Sequence, residues 1–434
     1  MKLEFVSNTG MYLEHEGVVL GMDLWLTQGA FEGSWFHYPP LRETNLGVED
    51  CSYIYISHIH PDHCDFHALK NARPETTFIV PNYFGRLLER KLRAFGFANV
   101  VSLGSGETAE LAPGLRVKLY PQFVNNLFHE AAFGNLIDSA LLVEWNGHTI
   151  LNCNDNYLTP EWAEKLKKEL PRLDLLISPH SASGPYPANF RNLSAAEKES
   201  EATRLQTQYI DHWVTTTLIL SPRLVVPCAA EYVVVGELHE KNPYIGLAAA
   251  KDAVAELLRR QGGPAPTRPV QLDCATVVDV ETHEVSGAAV RNPSPEERQA
   301  FILRHARVPF DYQWEDSFVD ADFDELVRAA RANLWQKQGR LEWKTNYNIY
   351  LTIDETPRYA FNFAQQDLNV LNGNATEREE PYLECFMPRQ LFYQVLTRRA
   401  HWNNAEGGLH IDFFRKPNDY IPEVFTLLAF LQAG

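Results

Sequence analysis

The sequence predicts a layered α/β domain followed by a smaller α+β domain. Two observations carry this. Through about residue 245, short β-branched or aromatic runs alternate with helical stretches, the pattern of strands and helices stacked in layers. The run Gln261-Gly262-Gly263-Pro264-Ala265-Pro266-Thr267-Arg268-Pro269 then breaks that pattern, and a different mixture of helices and strands follows. The expected units are 1–260, a linker over 261–291, and a C-terminal domain over 292–434.

Taken in order, Val18 to Leu24, Ser52 to Ile56, Thr77 to Val80, Arg116 to Tyr120, Ala140 to Trp145, Thr149 to Cys153, Leu173 to Ser178 and Leu224 to Pro227 read as strands. Asn146-Gly147 is a hairpin turn between two of them. Helices are expected over Tyr83 to Ala94, Pro160 to Leu170, about Ser194 to Leu220 and Lys251 to Arg260. Pro160 suits the first turn of its helix because its missing N–H would be unpaired there in any case. The second domain is expected to hold helices near Pro295 to Arg307, Asp322 to Leu334 and Pro388 to Thr397, with strands at Tyr347 to Ile353 and Arg358 to Phe363. Val424 to Gln432 is an apolar helix too short to span a bilayer, and reads as core or dimer packing.

With 45% hydrophobic and 22% charged residues the chain can bury large cores. Its net charge of −17 argues against a nucleic-acid or anionic-membrane surface as partner, since both require a basic footprint. No apolar run is long enough for a membrane span, and Met1-Lys2-Leu3-Glu4-Phe5 lacks a signal-peptide core. The six cysteines include no C-x-x-C pair, so reduced thiols in a cytoplasmic protein are expected.

The chemistry concentrates in Ser57-His58-Ile59-His60-Pro61-Asp62-His63-Cys64-Asp65, directly after an expected strand. Two imidazoles spaced H-x-H can grip one ion from the same side, and the following Asp-His pair can face a second. His180, with Ser181-Ala182-Ser183-Gly184, follows another expected strand and lies where backbone donors could cradle a ligand; a polar surface loop is the alternative. His239 with Glu240 is a candidate ligand and supporting carboxylate, or else a solvated turn.

These segments resemble the metallo-β-lactamase superfamily over about residues 1–245. Val18-Val19-Leu20-Gly21-Met22-Asp23 is similar to its early strand ending in Asp, Gly104-Ser105-Gly106-Glu107 to its mid-domain turn, and Ile150-Leu151-Asn152-Cys153-Asn154-Asp155 to its strand ending in a metal-bridging aspartate. The resemblance implies an αββα sandwich with metals at one edge. It implies His58 and His60 on one metal, Asp62 and His63 on the second, and Asp155 bridging them. Asp155 could instead cap the turn before Pro160. Two positions depart from the pattern. Gln122 to Asn126 stand where the family places a histidine, with a histidine only at His129, and Cys228-Ala229-Ala230-Glu231 stand where its last histidine falls. Substitutes would come from His129, His180, His239 or Glu231, or the site would hold a single ion.

Asn152 to Asn156, Ser178 to Pro187, Leu238 to Asn242 and Leu396 to Gly408 resemble segments of the CMP-N-acetylneuraminate hydroxylase group, in which a metallo-β-lactamase-like region accompanies a Rieske domain. A Rieske centre needs C-x-H and C-x-x-H. This chain has Cys64-Asp65-Phe66-His67 but no C-x-H, so no Rieske centre is expected and electrons would come from a separate donor. The favoured expectation is a non-haem iron oxygenase, with one or two ions, hydroxylating a small polar molecule. The alternative is a zinc- or manganese-dependent hydrolase of an ester, lactone, amide or phosphodiester, with Asp62 or Asp155 orienting the water. Asp62, Asp155 and His180 are the expected catalytic groups.

Overall fold

The computed structural model describes residues 1–124, 126–133, 137–181, 184–263, 266–314, 316, 318–373 and 377–433. Two large sheets face each other. The first has eight strands in the order Val285–Gly287, Thr276–Asp279, Lys2–Ser7, Gly10–His15, Val18–Met22, Tyr53–Tyr55, Thr77–Pro81 and Val100–Leu103. The second has seven: Arg268–Pro269, Leu224–Cys228, Leu175–Pro179, His148–Asn152, Ser139–Trp145, Leu115–Pro121 and Thr108–Ala112.

Strand alternation decides which residues fill which layer. Leu20, Met22, Tyr55 and Ile79 of the first sheet pack against Leu119, Leu141, Val143, Ile150, Ile177 and Val226 of the second. Their neighbours Val19, Ile54, Phe78 and Val80 face the other way, under Leu69, Leu88 and Leu92 from the helices Phe66–Leu69 and Tyr83–Phe95. On the far side, Leu142, Leu151, Leu176 and Val225 lie under Leu166, Trp213, Val214 and Leu257. These come from the helices Pro160–Glu169, Ala195–Leu220 and Ala250–Gln261. The result is an αββα sandwich, as the sequence predicts. The 26-residue helix Ala195–Leu220 starts where Ser194 and Glu197 form a reciprocal capping box.

The segment 261–291, expected as a linker, builds sheet instead. Arg268–Pro269 pairs with Leu224–Cys228, and Thr276–Asp279 runs antiparallel to Lys2–Ser7. Its strands are too short to announce themselves without their distant partners.

Residues beyond about 295 form helices and a five-stranded sheet, ordered Leu368–Val370, Thr356–Asn362, Asn348–Ile353, Tyr382–Met387 and Asp412–Lys416. The helix Pro422–Leu428 buries Val424, Leu427 and Leu428 in this unit's own core. The two units are joined by hydrogen bonds. The Phe413 N–H donates to Asn189 O at 2.8 Å, the Arg191 N–H to Phe413 O at 2.7 Å, and Lys241 Nζ to Asp412 Oδ1 at 2.6 Å. Phe190 enters the C-terminal core beside Phe413. Among the described residues no helix is long and apolar enough to cross a membrane.

Candidate metal centre

Parallel strands deliver the site. Val18–Met22, Tyr53–Tyr55 and Thr77–Pro81 run parallel in one sheet, and His148–Asn152, Leu175–Pro179 and Leu224–Cys228 run parallel in the other. The carboxyl ends of each set therefore share an edge, where loops can present ligands. Asp23, the Ser57–Asp65 loop and Asp155 all follow such ends. Asp23 and Asn154 take left-handed backbone conformations, φ 45° and 44°, at the points where the chain turns off the sheet. Asp and Asn tolerate that region better than most residues because their short side chains bond locally. Asn154 does so through Oδ1, which accepts from the Asp155 N–H at 2.6 Å.

Among the described residues, the group able to share an ion is His58, His63 and Asp155, with one donor atom from each lying within 4.8 Å of the others. His60 completes one side, its Nδ1 standing 2.9 Å from His58 Nε2. Two imidazole nitrogens this close either share a proton or face a common cation. Asp62 is buried beside them, with Oδ2 3.4 Å from His63 Nε2 and bonded by Asn8 Nδ2 at 3.0 Å. Asp155 Oδ2 lies 3.1 Å from the same His63 nitrogen.

The other carboxylate oxygens test whether a cation fits. Asp62 Oδ1 and Asp155 Oδ1 are both buried without a hydrogen-bond partner. A buried carboxylate oxygen left unpaired is costly. A divalent ion beside these oxygens and the imidazoles would remove that cost, so the residues fit a metal.

The outer faces of the imidazoles are held by the protein. His63 Nδ1 meets Asp23 Oδ2 at 3.0 Å and Thr9 Oγ1 at 3.1 Å. Asp23 Oδ1 in turn accepts from the Ser57 N–H at 2.7 Å. His58 Nδ1 meets Ser57 Oγ at 2.9 Å, with Asp138 Oδ1 at 3.5 Å. Such partners fix which nitrogen carries the proton and so which one offers a lone pair. Burial would lower the His63 pKa, but Asp62, Asp155 and Asp23 outweigh it and hold the ring well above the usual histidine range. Burial, then the neighbouring His63 and His60, push His58 well below it. Burial and the charge of Asp155 raise Asp138 well above the ordinary carboxyl range.

Four expected residues, His180, His129, His239 and Glu231, do not join the cluster among the described residues. The His180 ring is fully buried between two backbone carbonyls, Cys228 O at 2.8 Å from Nδ1 and Ala248 O at 3.0 Å from Nε2. It ties the strand end at Cys228 to the segment before the helix Ala250–Gln261, with both ring nitrogens facing backbone carbonyls. Of its proposed cradle, residues 182 and 183 lie outside the described residues. His129 sits on the helix Leu127–Phe133, its ring against Phe133 and Nδ1 3.4 Å from Thr426 Oγ1. His239 Nδ1 donates to Gly236 O within its own helical turn. Glu231 Oε2 accepts from the Ala230 N–H, and burial raises its carboxyl to about 7. Cys228, at the position in question for a last histidine, is a buried thiol pushed well up by burial and donating to Asn154 O at 3.6 Å. All six cysteines are unpaired and buried.

The structure adds groups that sequence reasoning missed. Asp138 arrives at the start of the strand Ser139–Trp145, beyond the intervening helix Leu127–Phe133. The signal available was an acidic residue abutting an apolar run. Asn403, from the C-terminal unit, places Oδ1 2.6 Å from His60 Nε2. The Tyr232 hydroxyl is buried without a partner, with the Trp35 ring stacked on Tyr232 at 3.6 Å. Burial, with the charges of Asp62 and Asp155, keeps its proton on.

No family model matches the chain. Over 96% of its length it is 25% identical to the cytidine monophosphate-N-acetylneuraminic acid hydroxylase of Danio rerio, covering 70% of that protein. A Mycolicibacterium smegmatis protein named as a Rieske 2Fe-2S iron–sulfur protein is 24% identical over 53% of this chain, and the match spans 43% of that relative's length. Among solved structures, Igni18, a metallo hydrolase from Ignicoccus hospitalis, aligns with a TM-score of 0.43 at 17% identity, covering 67% of this chain and 99% of that one. CmlA, a diiron β-hydroxylase from Streptomyces venezuelae, aligns at 0.41 and 17%, covering 62% and 53%. The metallo-β-lactamase-like fold of this chain stands on its own sheet order and layers.

Proposed function

We propose that this chain is a non-haem iron enzyme that hydroxylates a small polar molecule with O₂, drawing two electrons from a separate donor. One observation carries the reading. The cluster mixes the imidazoles of His58, His60 and His63 with the carboxylates of Asp62 and Asp155, and the strand ends Leu115–Pro121 and Leu224–Cys228 bring no further histidine into it among the described residues. A mixed imidazole and carboxylate set with open positions suits iron that must bind O₂. The hydroxylase name of the relative matched over nearly the whole chain supports the same reading.

His58 and His60 would hold one ion, Asp62 and His63 a second, with Asp155 between them. Iron bound there supplies O₂ activation. The protein's own part is orientation. Asp23 and Thr9 keep His63 Nε2 turned inward, and Ser57 does the same for His58 Nε2. The Tyr232 hydroxyl is buried without a partner, and burial with the charges of Asp62 and Asp155 keeps its proton on. Overall, R–H, O₂, two electrons and two protons give R–OH and water. The donor would be a separate reductase or iron–sulfur protein. Cys64, the one cysteine in a C-x-x-H pair, is a buried thiol raised to about 12, unsuited to ligating a cluster.

A second reading, a zinc or manganese hydrolase, is favoured by Asp62 and Asp155, which could orient a water. Metal analysis and Mössbauer spectroscopy on protein purified without oxygen separate the two. Iron at one to two ions per chain that oxidises on O₂ exposure is expected. Stoichiometric zinc with turnover of ester or phosphodiester probes would overturn the oxygenase reading.

A further inference from the structure

A cavity of about 370 Å³ opens beside the cluster, with Asp138 and Asp155 in its lining. Tyr157 and Tyr209 form an aromatic wall, their ring centroids 4.8 Å apart. His212 stands next to them, its Nε2 donating to Leu158 O at 2.7 Å. Gln122 adds an amide oxygen that is buried without a partner. The lining is therefore rich in acceptors.

It is also without a cation: no lysine or arginine lines the cavity among the described residues. Arg204, one turn before Gln208, is committed to Glu201, with Nη2 2.8 Å and Nε 3.0 Å from Oε2, while its Nη1 donates to Gln208 Oε1 at 2.8 Å. A phosphate or carboxylate entering here would meet the acceptor oxygens of Asp138, Asp155 and Gln122, with no lysine or arginine to pair with. Hydroxyl and ammonium donors would find partners, and a ring's C–H face or a cation would rest on the tyrosines.

We infer that this cavity is the substrate site and that it selects a small, donor-rich, uncharged or cationic molecule, a polyhydroxylated or amino compound bearing no phosphate or carboxylate. The inference rests on the reading of the adjoining cluster as the metal centre. The experiment is ligand-observed saturation-transfer NMR on the full chain, metal-free and reloaded anaerobically with Fe²⁺. The probes share one ring and differ in charge: glucosamine, glucose, glucuronate and glucose 6-phosphate. Glucosamine and glucose are expected to bind, to lose at least tenfold in affinity in Tyr209→Ala, and to recover in Tyr209→Phe. The two anions are expected to bind at least tenfold more weakly than glucose, and Val124→Lys, which adds a cation to the wall, should narrow that gap. Anions binding as tightly as glucose in a Tyr209-dependent manner would overturn the inference, as would Tyr209-independent binding, or no binding, of all four probes. Metal content measured on the same samples separates the two claims. Absent metal with neutral-probe binding intact strikes the metal reading alone, whereas bound metal with anion preference strikes the substrate class alone.

Discussion

Asn403 Oδ1 accepts a 2.6 Å hydrogen bond from Nε2 of His60. The bond puts the His60 proton on Nε2 and leaves Nδ1 as a lone pair facing His58 Nε2, 2.9 Å away. A residue of the C-terminal unit therefore sets the tautomer of a candidate ligand 343 positions earlier. Asn403 is held in place by its own helix start, where its N–H donates to His401 Nδ1 at 3.2 Å. Removing such a partner costs about 10- to 100-fold in metal affinity in comparable sites. Asn403→Ala is expected to weaken metal binding by that order with little change in thermal midpoint, and Asn403→Asp, which keeps an acceptor, to restore it. Metal titration of the three proteins checks this.

Asp138 couples stability to binding. It is buried, and burial together with Asp155 raises its carboxyl well above the usual range. An amide of the same shape removes that conflict. Asp138→Asn is expected to stabilise the metal-free protein by about 1 kcal/mol while reducing the thermal shift on metal loading. Denaturant melts with and without metal measure both. A destabilised metal-free variant would show that the Asp138 charge is held by favourable contacts.

His180 should behave as a structural tie. Leucine in its place would leave Cys228 O and Ala248 O facing an apolar side chain, at about 1–3 kcal/mol for an orphaned buried group. His180→Leu is expected to lower the unfolding free energy by that amount and keep its metal stoichiometry. Full stability with lost turnover would instead return His180 to the catalytic set.

His410 gives the fold an acid sensitivity. Buried, it donates to Phe31 O at 2.9 Å and stands 3.3 Å from the Tyr312 hydroxyl. Burial lowers its pKa to about 3 from the ordinary 6.5. The unfolded chain then binds a proton that the folded chain refuses across that window, so the contribution is present above about pH 6.5 and is lost as pH falls toward 3. His410→Gln, which keeps an N–H donor, is expected to flatten the fall of the thermal midpoint between pH 6.5 and 4. An unchanged slope would assign the acid sensitivity to other groups.

The legible parts of the molecule were those encoded locally. The Ser57–Asp65 loop announces itself because a strand and four candidate ligands, three His and one Asp, follow one another within a dozen residues. Asp155 was readable only through the family resemblance, at the end of an apolar strand. Leu3, Phe5, Leu13 and their neighbours fill the inter-sheet core, yet the hairpin Lys2–Ser7 with Gly10–His15 was not foreseen, and neither was the strand Thr276–Asp279 that pairs with it. A three- to six-residue strand carries little signal before its partner is known. The histidines were harder still. His129, His180 and His239 have the right chemistry for ligands, and in the fold each is turned to another neighbour.

The sequence alone determined the layered α/β class, the strand-to-loop placement of His58, His60, Asp62 and His63, and the acidic net charge. Those features depend on residue type and short-range periodicity, which survive without coordinates. Only the tertiary structure decided that Asp155 reaches His63, that Asp138 stands by His58, that Asn403 fixes His60, and that His180 faces inward. Each of these is a contact between residues far apart in the chain. Its geometry depends on two packed sheets and a docked second unit, because a side chain's partner is chosen by where the backbone carries it.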